Sequence, residues 1–400
     1  MFREGVFFFM VLSRVAREIQ ASATLAITAK AKQLAAEGKD VIGFGAGEPD
    51  FDTPENIKNA AIKAIKNGFT KYTPTSGVPK LKEAICEKLF NDNHLKYASS
   101  QILVSAGAKQ SICNIALVLC DTGDEAIIPS PYWVSYPEMV TLAGAKPVFL
   151  ETTDKDSFKI TKESLAKVIT PKSKLLFLNS PSNPTGMVYT EEELREIVMF
   201  AVEKGLYVIS DEIYEKILYD GAAHFSPAAI NDDCYNKVVT VNGFSKVYSM
   251  TGWRLGYAAG PEKIIKAATN IQDHTTSGAN SITQLAGLEA LRGSQESVTV
   301  MVKEFDRRRK YIVERLNTIK GISCLLPQGA FYAFPNVSRL CENLSLKGSF
   351  DLVSLLLEKA HIAFVPGAPF GADAHIRISY ATSMENIEKG MDRFEKFLNT

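Results

Sequence analysis

The chain has 400 residues, of which 46% are hydrophobic and 22% charged, enough for a large buried core and more than a small binding module needs. Forty-five Lys and Arg balance forty-five Asp and Glu, so no net field draws the chain to nucleic acid or an anionic membrane, and any bound anion must be held by local groups. The six cysteines (Cys86, Cys113, Cys120, Cys234, Cys324, Cys341) form no C-x-x-C pair, which argues against a disulfide framework or a zinc site, leaves no metal expected, and fits a reducing, cytoplasmic setting.

Residues 1–12 carry the apolar run Val6–Leu12 behind a single arginine, with no small-residue cleavage site. The run is too short to span a bilayer. An extension outside the fold, or translation from Met10, is expected. Ser13–Glu37 has helical spacing, and residues 13–50 are expected to pack with the C-terminal part. Gly43-Phe-Gly45-Ala-Gly47-Glu-Pro49 resembles the opening of a dinucleotide fingerprint, but Glu48 stands at the sixth position and Pro49 spoils the required helix start. The dehydrogenase reading fails there.

From residue 51 to 293, β-rich runs alternate with helical segments, the signature of a mostly parallel sheet covered by helices in a large α/β domain. The predicted strands are Gln101–Ser105, Glu125–Pro129, Leu175–Asn179, Tyr207–Ser210, Val238–Val241 and Leu255–Ala259, with helices over Lys109–Leu119 and Glu191–Lys204. Thr190 and Glu193 form a capping box for the second helix. After Gly293 a long amphipathic helix, Ser294–Asn317, opens a smaller α+β domain over residues 294–400. Its run Asp306-Arg-Arg-Arg-Lys310 is read as a solvated face rather than a nucleic-acid contact.

Four segments carry chemistry. In Asn242-Gly-Phe-Ser-Lys246-Val-Tyr-Ser-Met-Thr-Gly-Trp-Arg254-Leu-Gly, Lys246 alone would read as a surface lysine. Following a strand, among small and aromatic residues and with Arg254 behind it, it reads as an amine in a cleft beside an anion site, able to form a Schiff base. Asp211 ends an apolar strand and Tyr214 follows three residues later; a helix cap is the plain reading, a carboxylate for a pyridine nitrogen the chemical one. Asn183, in Asn-Ser-Pro-Ser-Asn-Pro-Thr-Gly, is turn chemistry that also places an amide at a strand's carboxyl end. Gly107-Ala108-Lys109 joins a strand to a helix start, where free N–H groups suit phosphate, and Trp133 offers a face for a pyridine ring. No His-Glu-x-x-His, serine elbow or P-loop is present.

Together with Gly47-Glu-Pro-Asp-Phe-Asp-Thr-Pro54, Tyr72-Thr-Pro-Thr-Ser-Gly77, Gly252-Trp-Arg254-Leu-Gly256 and Arg377-Ile-Ser-Tyr380, these segments resemble the class-I aminotransferases, most closely their bacterial aspartate aminotransferase branch. The likeness runs from about Leu12 to the C-terminus. It implies the fold-type-I pyridoxal 5′-phosphate transferase architecture and a ping-pong transfer of an amino group from aspartate to 2-oxoglutarate. By that resemblance Lys246 carries the cofactor, Asp211 meets the ring nitrogen, Asn183 and Tyr214 the ring oxygen, and Trp133 the ring face. Gly107, Ala108, Lys109 and Arg254 hold the phosphate. Tyr72 reaches the phosphate of a neighbouring subunit, which makes the active unit a homodimer. Arg377, with Gly47, Asn183 and Trp133, binds the substrate. A distal carboxylate falls to Lys109 and polar groups near Ser22 and Thr24. Two positions depart from relatives: Gly243, where many have serine, and Gln20, where relatives accepting prephenate have lysine. Aromatic or prephenate acceptance, and a C–S lyase of the same fold, use the same residues and stay open.

Overall fold

Seven strands build the central sheet of this computed structural model, which describes residues 12–19 and 23–398. Gln20, Ser22 and the apolar run ahead of Leu12 lie outside the described residues, as does the side chain of Thr24. In chain order the strands are β1 (Ile102–Ser105), β2 (Glu125–Ser130), β3 (Lys146–Glu151), β4 (Ser173–Asn179), β5 (Tyr207–Asp211), β6 (Val238–Gly243) and β7 (Gly256–Ala259). They lie in the order β1-β7-β6-β5-β4-β2-β3, all parallel except β7, which runs antiparallel between β1 and β6.

The central strands read as unbroken apolar runs because both faces are covered. Successive residues alternate between two cores: Leu175, Phe177, Ile209 and Val239 face the helix Ala108–Leu119, while Leu176, Leu178, Val208 and Val238 face the helices Pro79–Asn93 and Glu191–Glu203. β3 was not expected from the sequence. Its run Lys-Pro-Val-Phe-Leu-Glu is charged at both ends and half exposed, and Pro147 is tolerated because the strand is an edge.

A second core joins the C-terminal part to the start of the chain. Helix Glu296–Thr318 contributes Met301, Phe305, Ile312 and Leu316, and helix Met384–Leu398 contributes Ile387, Met391 and Phe394. A small antiparallel sheet sets Ile376–Ser379 between Val365–Pro366 and Tyr332–Ala333. Ile42–Gly43 pairs in parallel with Ile362–Ala363, Phe44 lies in this core, and Lys30 pairs with Glu358 at 2.8 Å. Two expectations are corrected. Ser13–Glu37 is not one helix: Arg14–Glu18 ends at Ile19, which turns extended (φ −64°, ψ 124°), and a second helix runs from Ala23 to Ala36. The basic run is only partly solvated, since Arg308 and Arg309 are buried, the first on Asp50 (2.7 Å) and the second on Asp220 (2.6 Å) and the Pro327 carbonyl (2.6 Å).

The helix Met384–Leu398 packs so closely that a Cβ at Gly390 would lie 2.4 Å from Cζ of the fully buried Phe44. Gly390→Ala is therefore expected to destabilise the fold by about 1–3 kcal/mol despite the helix propensity of alanine, read as a lowered denaturant midpoint. An unchanged midpoint would show that Phe44 repacks without cost.

Candidate active site

The carboxyl ends of β4, β5 and β6 open into a cavity of about 550 Å³ between the two cores. Open parallel sheets bind ligands at that edge. Five cations (Lys32, Lys109, Lys246, Arg254, Arg377) and two carboxylates (Glu48, Asp211) line it, so a chain of zero net charge carries here a local excess of positive charge.

Lys246 follows β6 and is mostly withdrawn from water; its ammonium donates to the Gly47 carbonyl and stands 6.0 Å from the Tyr214 and Phe331 ring centres. Burial pushes its pKa down to about 8, with Arg377 and Arg254 adding repulsion that Glu48 and Asp211 only partly oppose. Asp211, at the last position of β5, is 5% exposed. Burial pushes its pKa up to about 6, against the Tyr136 hydroxyl, which donates to Oδ2 at 2.6 Å, and the Ile213 N–H, which donates to Oδ1 at 3.3 Å.

Asn183 leaves β4 in a loop fixed by its own N–H on the Asn179 side chain (2.8 Å), and its Oδ1 accepts from Arg377 Nη1 at 3.1 Å, so its amide nitrogen is the group left for a ligand. Arg377, central in its small sheet, also donates to the Gly45 carbonyl (2.9 Å) and lies between the rings of Tyr332 (4.7 Å) and Phe370 (5.0 Å), while its buried Nε has no partner. Burial lowers its pKa. The Tyr214 and Tyr332 hydroxyls are 2.9 Å apart. Trp133 meets Tyr136 edge-on at 5.3 Å, and the exposed Lys109 sets its ammonium 5.0 Å from the Trp133 ring centre; partial burial and Arg254 lower its pKa.

At the start of helix Ala108–Leu119 the first N–H groups have no acceptor within the helix. Gly107 (φ +87°) admits the Arg254 guanidinium, whose Nη2 would lie 2.5 Å from a Cβ there, and a Cβ on Gly256 would meet the Ala108 nitrogen at 2.3 Å. Arg254 itself holds φ +55°, a conformation a side chain seldom adopts, and bonds the Thr251 (2.9 Å) and Ala106 (3.3 Å) carbonyls. The result is a shallow cradle of N–H groups and a guanidinium that any larger residue at 107 or 256 would fill. At Gly243 a Cβ would crowd the Leu255 oxygen (3.0 Å) and Ile213 (3.1 Å), which accounts for glycine in place of serine, while Ser245 lines the cavity instead.

Of the residues singled out in the sequence, Gly47, Ala108, Lys109, Trp133, Asn183, Asp211, Tyr214, Lys246, Arg254 and Arg377 line this one cavity, and Gly107 lies against Arg254. Tyr72 does not: it is 99% exposed, in a separate surface depression beside Gly278 and Asn280. Tyr136, Tyr332 and Lys32 carry no signal singled out in the sequence, and Glu48 is read there only as the break in a dinucleotide fingerprint. Tyr136 stands three residues after Trp133, at the start of the helix Tyr136–Leu142, and that nearness is the signal that could have found it; Tyr332 lies in a short strand with no motif around it.

Because Lys246 has a folded pKa near 8 against an ordinary 10.5, its charged form is penalised in the fold at neutral pH and its neutral form is not above about 10.5. Without cofactor, Lys246→Met is expected to be more stable than the parent chain by about 1–3 kcal/mol at pH 7. The gap should close as pH rises from about 8 to 10.5. A gap constant with pH in thermal melts would mean that the ammonium is not desolvated.

Comparison with known proteins places this geometry in a family. The profile of the family described as aminotransferase class I and II matches residues 39–394. The aspartate aminotransferase of Bacillus sp. (strain YM-2) is 49% identical over 388 residues, covering 97% of this chain and 99% of that protein. The aspartate/prephenate aminotransferase of Nitrosomonas europaea is 46% identical, covering 98% and 100%. The crystal structure of Thermus thermophilus aspartate aminotransferase with maleate superposes with a TM-score of 0.91 at 42% identity, covering 97% of this chain and all of that one. Fold and sequence agree, and the chain belongs to the class I and II aminotransferases.

Proposed function

We propose that the protein is an aspartate aminotransferase, transferring the amino group of L-aspartate to 2-oxoglutarate by a ping-pong mechanism with pyridoxal 5′-phosphate on Lys246. The observation that carries the reading is a lysine depressed to about 8 and a buried carboxylate raised to about 6 in one cavity, beside an anion cradle built from a helix start and Arg254. Families of this kind are generally pyridoxal-phosphate dependent, and the cradle fits a phosphate. In this reading residues 51–293 form the cofactor-binding domain, and residues 13–50 with 294–400 the smaller one.

When bound, the cofactor supplies an electron sink for the bond broken at the substrate α-carbon. Asp211 would hold the proton on its ring nitrogen, and Tyr136 holds Asp211. Asn183 and Tyr214 would meet the ring oxygen, Trp133 the ring face, and Gly107, Ala108, Lys109 and Arg254 would hold the phosphate. Lys246, near neutrality in its free form, moves the α-proton, a step worth on the order of a hundred- to ten-thousand-fold. Arg377, presented by two aromatic rings and with Nε unspent, binds the α-carboxylate beside Asn183 and Gly47. Lys32, and Lys109 shared with the phosphate, favour a second carboxylate on the substrate. Relatives named as aspartate/prephenate aminotransferases support testing a wider acceptor range. Among the described residues no helix is long and apolar enough to cross a membrane, and with the unpaired cysteines a cytoplasmic setting fits.

With added cofactor the protein is expected to turn yellow and to run a coupled assay with aspartate and 2-oxoglutarate faster than with phenylalanine or with prephenate as acceptor. Lys246→Ala should keep cofactor and lose turnover, and Asp211→Asn should lose several kcal/mol of transition-state stabilisation with little loss of cofactor affinity. Wild-type turnover in Lys246→Ala sinks the assignment, and higher efficiency with phenylalanine overturns the substrate.

The full exposure of Tyr72 supports a role in a partner's site within a homodimer, because no group of its own chain engages it in the cavity. Mixing Tyr72→Phe with Lys246→Ala subunits is expected to restore part of the activity that each lacks. Hybrids no more active than their parents would place Tyr72 outside the reaction.

A further inference from the structure

Directly behind Asp211, on the other face of the sheet, four charged side chains are buried together. Side chains alternate along a strand, so Ser210 and Glu212 point away from the cavity while Asp211 points into it. Glu212, 1% exposed, accepts from Ser210 Oγ (2.8 Å) and Ser226 Oγ (2.6 Å) and pairs with His224 Nε2 (2.9 Å). Glu215, 5% exposed, pairs with the Lys88 ammonium, accepts from Asn93 Nδ2 (2.9 Å), and lies 3.9 Å from His224 Nε2. Asn93 Nδ2 also donates to Ser226 Oγ (2.8 Å), closing the network between helix Pro79–Asn93 and the strand end.

Buried charges are tolerated only when matched. Here two carboxylates face the Lys88 ammonium and the His224 ring, whose buried Nδ1 has no partner. Glu215 is held down at about 2 although burial opposes it, because Lys88 and His224 prevail; burial would likewise lower His224, but Glu212 and Glu215 raise it above the ordinary histidine value. Oxygen and nitrogen ligands of Glu212, Glu215 and His224 come within 4.8 Å of one another, a spacing a metal ion could use, yet Lys88 already supplies the counter-charge.

We infer that this quartet, Glu212 with His224 and Glu215 with Lys88, is a positioning element for Asp211: it ties down the residues on either side of that carboxylate, and its charges contribute to the electrostatic potential the carboxylate and a bound ring nitrogen experience. Glu212 is the negative group that adds to the burial of Asp211 in raising its pKa. The other groups facing Asp211 are Tyr136, which bonds it, Lys246 and Tyr214. Around the quartet stand Asp92, 3.9 Å from Lys88 and paired with Lys216 (2.8 Å), and the phenols Tyr97, Tyr248 and Tyr257, whose pKa values burial raises. The cofactor half of this inference rests on the function proposed above; the Asp211 half does not.

Charge and structure predict different patterns of response. His224→Gln removes the positive charge of a protonated His224 from the network, and Glu212→Gln removes a negative one. In cofactor-free protein, the Asp211 carboxyl followed by carbon NMR should titrate higher in His224→Gln and lower in Glu212→Gln. Each shift should be roughly one pH unit or more, one unit being the size expected of a unit charge about 12 Å away at an effective dielectric of about 20. The double variant should return close to the parent. Lys88→Met, on a different element, removes a positive charge and must shift in the direction of His224→Gln; it reads the same sign should His224→Gln fail to fold. With pyridoxal 5′-phosphate bound, the pH midpoint of its visible band should follow the same order. Absent shifts, or shifts of one sign in both single variants, would overturn the electrostatic role and leave only packing. Failure to bind cofactor, with the Asp211 shifts intact, would count against the proposed function and not against this inference.

Discussion

Keeping one carboxylate ionisable out of water is the constraint on which the site turns. Asp211 ends β5 with its side chain buried, and its neighbours must supply what water would have given. Tyr136 and the Ile213 N–H do so from the cavity side. Neither suffices to cancel the burial, which is why the group stays near 6 rather than in the ordinary carboxylate range. A carboxylate so poised is ready to pair with a cation placed against it, and the strand ends around it are where the sheet leaves room for one. The paired tyrosines, the aromatic seat of Arg377 and the depressed amine of Lys246 then complete a cavity whose cations outnumber its carboxylates.

The fold supports this from both faces. Alternation along β5 sends Val208 into the core with helix Pro79–Asn93 and Ile209 into the core with helix Ala108–Leu119, while Ser210 donates to Glu212 just past the strand and Asp211 lines the cavity. A single strand thus feeds an apolar core, a polar network behind the site and the site itself. The second core reaches the cavity through Tyr332 and Arg377, adjacent in the small sheet through Ser379 and Tyr332, so Tyr332 stands against Tyr214 across 118 positions of sequence and Arg377 against Asn183 across 194.

Much of this was legible in the sequence, for identifiable reasons. Six of the seven strands carry continuous apolar runs, which burial on both faces requires, and the chemistry-bearing residues sit at the ends of those runs, where strand and loop composition change sharply. β3 was hidden because an edge strand needs no such run and can hold Pro147. The burial of Arg308 and Arg309 was hidden because their partners Asp50 and Asp220 lie far away in sequence, and a basic run looks the same whether its carboxylates come from solvent-facing neighbours or from another element. Tyr136 and Tyr332 were missed for the same reason: a tyrosine acquires a role from the group its hydroxyl reaches, and neither Asp211 nor Tyr214 is local to it.

The cations of the cavity divide by how tightly they are held. Arg377 is wedged between two rings with two of its nitrogens already bonded, and Arg254 is fixed by two carbonyls and a left-handed backbone, so both present one geometry. Lys109 and Lys32 are exposed at the cavity wall on flexible stems. A guanidinium fork matches a carboxylate or phosphate whose position is the same in every turnover, whereas an ammonium on four methylenes can follow a group whose position changes from one substrate to the next. In the proposed function the two arginines take the parts common to all amino acids and cofactors, and a lysine at the cavity wall follows the distal carboxylate, the part that differs.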